Sequence, residues 1–219
     1  MNPQVVGLGV VCWPTGRRRG GPREGPLRVA LAVSAGALLE LGFSGGLVER
    51  DGALVLAGAS APADPAAAAV AEHVRSHPGG TPREWLLAVR EQALGMAYEG
   101  LMGKGLVRER RRRVFGVFGS VTYPVTGVAE LAALRERLAA VRVQGHGSDE
   151  RAAALVTLLD HAGLQAGLPQ ASEAEATGTE APGDRPVATT EGQRMAAALG
   201  DEIRTTVAAL TVAIGAAAL

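Results

Sequence analysis

An almost uncharged segment, residues 27–43, most constrains how this chain can fold. It is rich in alanine, leucine and valine, which predicts a helix, and its only charged side chains belong to Arg28 and Glu40. A helix that is apolar on most sides is usually central and buried. Its uncharged apolar stretch, residues 29–39, and the apolar stretch at residues 205–219 are shorter than the roughly 20 residues that span a bilayer. We therefore predict no transmembrane helix, and a helical body built around residues 27–43.

Capping signals divide the rest of the chain into further helices. Asp64 stands directly before a proline, and Thr81 stands before a proline with Glu84 three residues on, so both match a helix N-terminus. Thr126 and Ser148 are expected to cap two later helices. The predicted helices cover residues 27–43, 65–77, 82–102, 126–143, 148–163 and 194–219.

Two short hairpins are predicted between these helices. The first covers residues 47–56, with an Asp-Gly turn that supplies the positive φ of a tight turn. The second has a short strand at 106–107, a basic turn at 108–113 and an apolar return strand at 114–118. Its arginines repel one another, so an anionic partner or plain solvent must face them. Guanidinium groups make paired hydrogen bonds to phosphate. The candidate phosphate-binding residues, for an anionic lipid head group or for nucleic acid, are therefore Arg108, Arg110, Arg111, Arg112 and Arg113.

Two phenylalanines follow the arginines and are the candidate membrane-inserting residues. Phe115 and Phe118 are three positions apart, so in one strand their side chains would point to opposite faces. One is therefore expected in the core, and the other is expected to be exposed and to enter a membrane interface. The alternative for the same hairpin is a solvated basic surface without a ligand.

The chain is predicted to be mainly α: a single globular helical domain with two small β-hairpins, a linker and a C-terminal helix. Residues 165–193 contain almost no large apolar side chain, so burial cannot offset the entropy cost of ordering them. The expected division is a divergent N-terminal segment at 1–26, the helical domain at 27–168, a flexible linker at 169–193 and a docking helix at 194–219.

Charge and cysteine content limit the function classes. The chain has 22 basic and 22 acidic residues, so no global charge draws it to nucleic acid, and a local patch must bind any anion. Cys12 is the only cysteine, which excludes an intramolecular disulfide and fits an intracellular setting. His73 and His77 share a helix face, but no third ligand follows at a useful spacing. We therefore expect no metal site and no cofactor. The preference for arginine over lysine, with abundant alanine and glycine, indicates a GC-rich, bacterial genome.

Two nucleotide-binding motifs are missing from the sequence, which contains no Walker-type phosphate loop and no dinucleotide fingerprint. Asp160 and His161 are adjacent, but they stand at the end of a leucine-rich helix, where polar residues are ordinary. We therefore expect no catalytic residues and a protein that is not an enzyme.

Short segments along residues 27–168 carry a family resemblance through their order and spacing. They are residues 36–41 with the hairpin after Gly46, Pro62-x-Asp64-Pro65, Trp85 followed by Lys104-Gly105-Leu106-Val107, Thr122-Tyr123-Pro124-Val125, and the helix at 151–164. In this order they resemble the Golgi phosphoprotein 3 family in its bacterial branch.

The resemblance implies a mostly helical peripheral membrane protein. Eukaryotic members of the family bind phosphatidylinositol 4-phosphate and sorting cargo at the Golgi, and an apolar hairpin, residues 108–118 here, is implied to dip into the bilayer. The family's lipid pocket does not carry over residue by residue. Its tryptophan and first arginine fall on Gly25 and Ser34, and two further basic residues fall near Glu91 and Leu94.

The expected function is that of a cytoplasmic, peripherally membrane-associated binding protein whose partner is an anionic phospholipid membrane. Two alternatives stay open. A winged-helix-like nucleic-acid-binding regulator would use the basic hairpin as a wing, but the helix before it lacks the basic face of a recognition helix, so nucleic acid is not the expected partner. A protein–protein adaptor without lipid would dock its final helix on a second copy or another protein.

Overall fold

The computed structural model describes residues 26–50, 53–57, 62, 64–114, 118–144, 149–164 and 189–217. Its helices are α1 (Pro26–Phe43), α2 (Pro65–Ser76), α3 (Pro82–Gly103), α4 (Val128–Gln144), α5 (Glu150–His161) and α6 (Glu191–Ala217). Strands β1 (Leu47–Arg50) and β2 (Ala53–Leu56) form one antiparallel pair, and β3 (Arg110–Val114) and β4 (Phe118–Thr122) form another. The predicted mainly α class with two small hairpins is confirmed. The N-terminal segment and most of the predicted linker lie outside the described residues, so the division into domains stays a prediction.

Helix α1 lies at the centre of the body, as its composition predicts. Every residue from 30 to 41 is buried, and α2, α3, α5 and α6 all pack against this helix. Enclosure on all sides explains why apolar residues surround the helix instead of forming one stripe. Within the described ranges, α1 is also the one helix long and apolar enough to cross a membrane, which the sequence analysis did not expect. Its apolar window is 67% buried inside the body, as is usual for a core helix.

The predicted N-terminal caps of α2 and α3 are confirmed. The Asp64 carboxylate accepts a hydrogen bond from the Ala67 amide at 2.9 Å. Thr81 and Glu84 form a complete capping box, in which each side chain accepts a hydrogen bond from the other residue's amide. These bonds satisfy amides that no helical carbonyl can reach. Local sequence therefore sets the start of both helices.

The predicted caps of α4 and α5 are wrong. Asp149 caps α5 and accepts a hydrogen bond from the Ala152 amide at 3.1 Å, whereas Ser148 lies outside the described residues. The Thr126 hydroxyl donates to the Gly105 carbonyl at 2.7 Å instead of capping α4. It thereby ties the segment before α4 to the loop after α3, so a contact between distant residues replaces the local one.

Helix α6 begins at Glu191 and not at Arg194 as predicted. The Thr190 amide donates to the Gln193 side-chain oxygen at 2.9 Å, and the Gln193 amide donates to the Thr190 hydroxyl at 3.2 Å. This is a capping box, and its Thr-x-x-Gln pattern was available in the sequence. The helix packs against α1 and α5. Its buried hydrophobic side chains are Met195, Ala196, Leu199 and Ile203.

The close approach of α6 to α5 depends on Gly200. A Cβ at this position would lie 2.5 Å from the His161 Cβ and 3.0 Å from the Leu158 carbonyl oxygen. We expect Gly200→Ala to lower the free energy of unfolding by about 1–3 kcal/mol, because the two helices must move apart. Urea unfolding of the variant and of the unaltered chain measures this change.

Gly95→Ala is the matched control, because Gly95 is an exposed residue of α3 and an added Cβ meets no neighbouring atom within 4 Å. Here alanine is expected to raise the free energy of unfolding by about 0.5–1 kcal/mol, since it restricts the unfolded chain and favours the helix. If the free energy of unfolding changed with the same sign in both variants, the close approach of the helices at Gly200 would be contradicted.

Candidate functional site

The second hairpin places its arginines along a strand and not in a turn. Strand β3 pairs with β4 from Arg110 opposite Thr122 to Val114 opposite Phe118. The predicted basic turn at residues 108–113 is therefore wrong. The position of a turn depends on how two strands pair, and β4 ends with two β-branched residues, which favour a strand. The run of arginines is thus held extended by hydrogen bonds to β4.

The apolar return strand predicted at residues 114–118 is wrong. Val114 ends β3, and Phe118 begins β4 opposite it. Phe115 belongs to residues 115–117, which connect the strands and lie outside the described residues, as does the side chain of Phe118. Insertion of these phenylalanines into a membrane stays a prediction.

We call residues 110–122 the arginine ribbon. Its base is joined to α3, because Tyr98 of that helix stacks on Tyr123 with 4.1 Å between the ring centroids. The short strand predicted at 106–107 is reduced to one isolated bridge between Val107 and Val125, which closes the base. Beyond it, β3 and β4 pack chiefly against each other. The ribbon therefore projects from the helical body on an anchored base.

Two arginines at the base of the ribbon are exposed and lack a partner in the part of the chain that the structure describes. Arg108 and Arg110 both face solvent, and neither side chain has a hydrogen-bond or ion-pair partner among the described residues. Arg111 is also exposed, but it donates a hydrogen bond to Glu109, and this bond raises the pKa of the guanidinium group. Positive charge at the base is therefore partly unbalanced.

Arg112 and Arg113 complete the candidate head-group set. They continue β3 opposite Ser120 and Gly119, while their side chains lie outside the described part of the chain. All five candidate arginines thus belong to one extended segment, residues 108–113. Four of them lie in β3, and Arg108 precedes that strand, where the sequence analysis expected a turn.

The positions that correspond to the family's lipid pocket do not form one here. Ser34 is fully buried in α1, and its hydroxyl donates to a carbonyl of its own helix at 3.1 Å. Glu91 is exposed and lies 3.4 Å from Arg90, and Leu94 is half-buried. Gly25 lies outside the described residues. None of the described positions presents a free cation to a phosphate.

A buried ion pair outside the ribbon was missed by the sequence analysis. The Arg151 Nη2 atom lies 3.4 Å from Glu40 Oε2, and the guanidinium carbon is 5.0 Å from the centroid of the Phe43 ring. Glu40 is only 5% exposed, and burial raises the pKa of its carboxyl although Arg151 opposes this shift. The pair joins the end of α1 to the start of α5, two segments too distant in sequence for any local pattern to connect them.

Removing the positive partner should reveal the cost of this buried carboxylate. We expect Arg151→Met to lower the free energy of unfolding by about 2–3 kcal/mol at neutral pH, because Glu40 then lacks a counter-charge. A carboxyl with a raised pKa in the folded state stabilises the fold below its ordinary pKa and loses that contribution as pH rises through the folded pKa. The loss should therefore shrink as pH falls toward 4.5, the ordinary pKa of the group.

Adding Glu40→Gln to Arg151→Met removes the carboxylate itself, so most of the lost stability should return at neutral pH. Urea unfolding at several pH values follows the unaltered chain, the single variant and the double variant. A loss in the single variant that does not change with pH would show that Glu40 is not its source.

Comparison with known protein families matches most of the chain. The family model described as Golgi phosphoprotein 3 (GPP34) matches residues 15–213, which include the central helix, both hairpins and most of α6. No curated protein matches the chain. The match extends beyond the segments that carried the resemblance, on both the N-terminal and the C-terminal side. The chain therefore belongs to the Golgi phosphoprotein 3 (GPP34) family.

Proposed function

We propose that this chain is a non-catalytic peripheral protein that binds anionic phospholipid membranes reversibly from the cytoplasm. The observation that carries the proposal is the arginine ribbon, which presents an extended run of arginines on a hairpin that projects from the helical body. Family membership supports it, because the resemblance implies a membrane-facing hairpin at this place in the chain.

The balance of charges makes the ribbon and its base the source of attraction. The chain has 22 basic and 22 acidic residues, so an anionic surface is attracted by a local patch and not by the whole molecule. An arginine near an anionic membrane contributes about 1 kcal/mol, so five could supply about 5 kcal/mol if all reached the surface. Arg111 contributes less because Glu109 pairs with it. Attraction of this kind weakens as salt shortens the Debye length, which fits reversible docking.

Helix α3 favours a membrane over nucleic acid as the partner. A winged-helix protein places a basic recognition helix next to its wing, and α3 is the helix before the ribbon. Its Arg90 lies 3.4 Å from Glu91, and Glu99 is exposed on the same helix. These carboxylates would repel a phosphate backbone. The ribbon is thus basic without a basic helix beside it.

Replacing all four arginines of β3 with glutamine tests the proposal. Glutamine keeps a long polar side chain and removes only the charge. At low salt, where the Debye length is about 30 Å, binding to vesicles with phosphatidylserine should weaken by up to about a thousandfold, from about 1 kcal/mol per arginine. At about 1 M salt, the variant and the unaltered chain should bind almost equally. Vesicle sedimentation measures both, and vesicles with phosphatidylinositol 4-phosphate test the ligand of the eukaryotic members.

A second variant with the same net charge is the matched control. It carries glutamine at four exposed arginines on other elements: Arg50, Arg83, Arg135 and Arg194. If the ribbon is the binding surface, this control keeps its binding at low salt. Equal losses in the two variants would assign binding to total charge, and undiminished binding in both would exclude the ribbon.

Replacing the phenylalanines of the hairpin should affect vesicle binding differently from replacing the arginines. Replacing Phe115 or Phe118 with alanine removes apolar area worth about 2 kcal/mol if the ring is buried in lipid. Salt does not screen the contribution of buried apolar area, so the loss of vesicle binding should persist at high salt. Thermal unfolding tests the alternative that the ring packs inside the protein. Removal of such a ring leaves a cavity and lowers Tm. Lower Tm with unchanged binding in both variants would make the phenylalanines structural.

A further inference from the structure

Two histidines stack on each other at the end of α2. The rings of His73 and His77 lie 4.3 Å apart between centroids, with 24° between their planes. Both residues line an open groove between α2 and α3, and Met96 of α3 lines the same groove. Two imidazoles four residues apart on one helix face are neighbours in space. Neither the fold nor the proposed membrane binding accounts for their pairing at the surface.

The backbone orients the ring of His77. Its Nδ1 atom lies 3.0 Å from the His73 carbonyl oxygen, a distance at which a protonated Nδ1 donates a hydrogen bond. This bond selects the tautomer with the proton on Nδ1 and leaves a lone pair on Nε2. Histidines that bind metal ions almost always donate their second nitrogen to a carbonyl, a carboxylate or water in this way. The bond thus gives His77 the second-shell contact of a ligand.

His73 is half-buried in the same groove. The nearby Glu72 carboxylate is paired with Arg75. The two imidazoles are therefore the candidate ligands of the groove.

We propose that His73 and His77 form a binding site for Cu²⁺ in the groove between α2 and α3, each supplying one imidazole nitrogen. First-row ions such as Zn²⁺ lie about 2.0–2.1 Å from an imidazole nitrogen, so two nitrogens on one ion are about 3–4 Å apart. The two ring centroids lie 4.3 Å apart, which is close to that separation. Cu²⁺ is favoured because it binds nitrogen sites most tightly among the divalent first-row ions.

The site uses two protein ligands and completes its coordination with water. The sequence analysis expected no metal site because it looked for a third ligand in the chain. Across the described ranges, no group of three or more histidine, cysteine, aspartate or glutamate side chains could hold an ion. A two-nitrogen site is consistent with that finding. It predicts modest affinity and an exchangeable ion.

A titration of the full, tag-free chain with Cu²⁺ tests the proposal. Cys12→Ser is introduced first, because the thiol of the only cysteine is a competing soft ligand. Calorimetry should show one Cu²⁺ per chain, and the electron paramagnetic resonance spectrum should show coupling to two nitrogens. His73→Ala and His77→Ala should each weaken binding at least about tenfold, the smallest effect expected even for a second-shell partner.

His161→Ala is the matched control, since His161 contacts Asp201 on a different pair of helices. It should keep the affinity and the two-nitrogen signal. Thermal unfolding without metal confirms that each variant is folded, which is expected because His77 is exposed and His73 is outside the core. The proposal is overturned by absence of binding, by coupling to a single nitrogen, or by undiminished affinity in either histidine variant. An equal loss in His161→Ala would also overturn it.

Discussion

Enclosure of α1 on every side is the constraint on which the rest of the structure depends. Its residues 30–41 leave water only when α2, α3, α5 and α6 all pack around them. Each fully buried leucine contributes about 1.5–3 kcal/mol relative to exposure, so losing one wall would expose a large share of the core. This explains why α6 belongs to the body although it follows a long stretch of small and polar residues. Its Leu199 and Ile203 complete the core against α1 and α5.

The helical part of the fold could be predicted because its signals act over a few residues. Asp64 and Thr81 bond to amides of the helices that they start, so composition and spacing are sufficient evidence. Errors arose where a distant residue selects the local structure. Asp149 caps α5 and is also paired with Arg137 of α4, and the Thr126 hydroxyl reaches the loop after α3. The residues next to a helix start do not indicate such contacts with distant parts of the chain.

The candidate site was predicted in position but not in shape. A run of arginines has the composition of a solvated turn. Four of the arginines nevertheless belong to β3, because this segment pairs with β4 as far as Thr122. Strand pairing depends on residues on both sides of a turn, so the charge run alone could not give it. The contact of Arg151 with Glu40 is harder still to foresee, since it exists only after α1 and α5 have packed. For His73 and His77, the sequence shows that the two residues share a helix face. It does not show that their rings stack.

The arginine ribbon has two unequal faces near its base. Arg110 and Arg111 are neighbours in a strand, so their side chains leave on opposite sides. Among the described residues, the Arg110 guanidinium has no partner, whereas that of Arg111 is paired with the carboxylate of Glu109. The unpaired positive charge and the neutralised pair therefore lie on opposite faces of the ribbon near its base. Because Tyr123 stacks on Tyr98, this asymmetric base is joined directly to α3, so one surface ion pair decides which side of the junction carries unpaired charge.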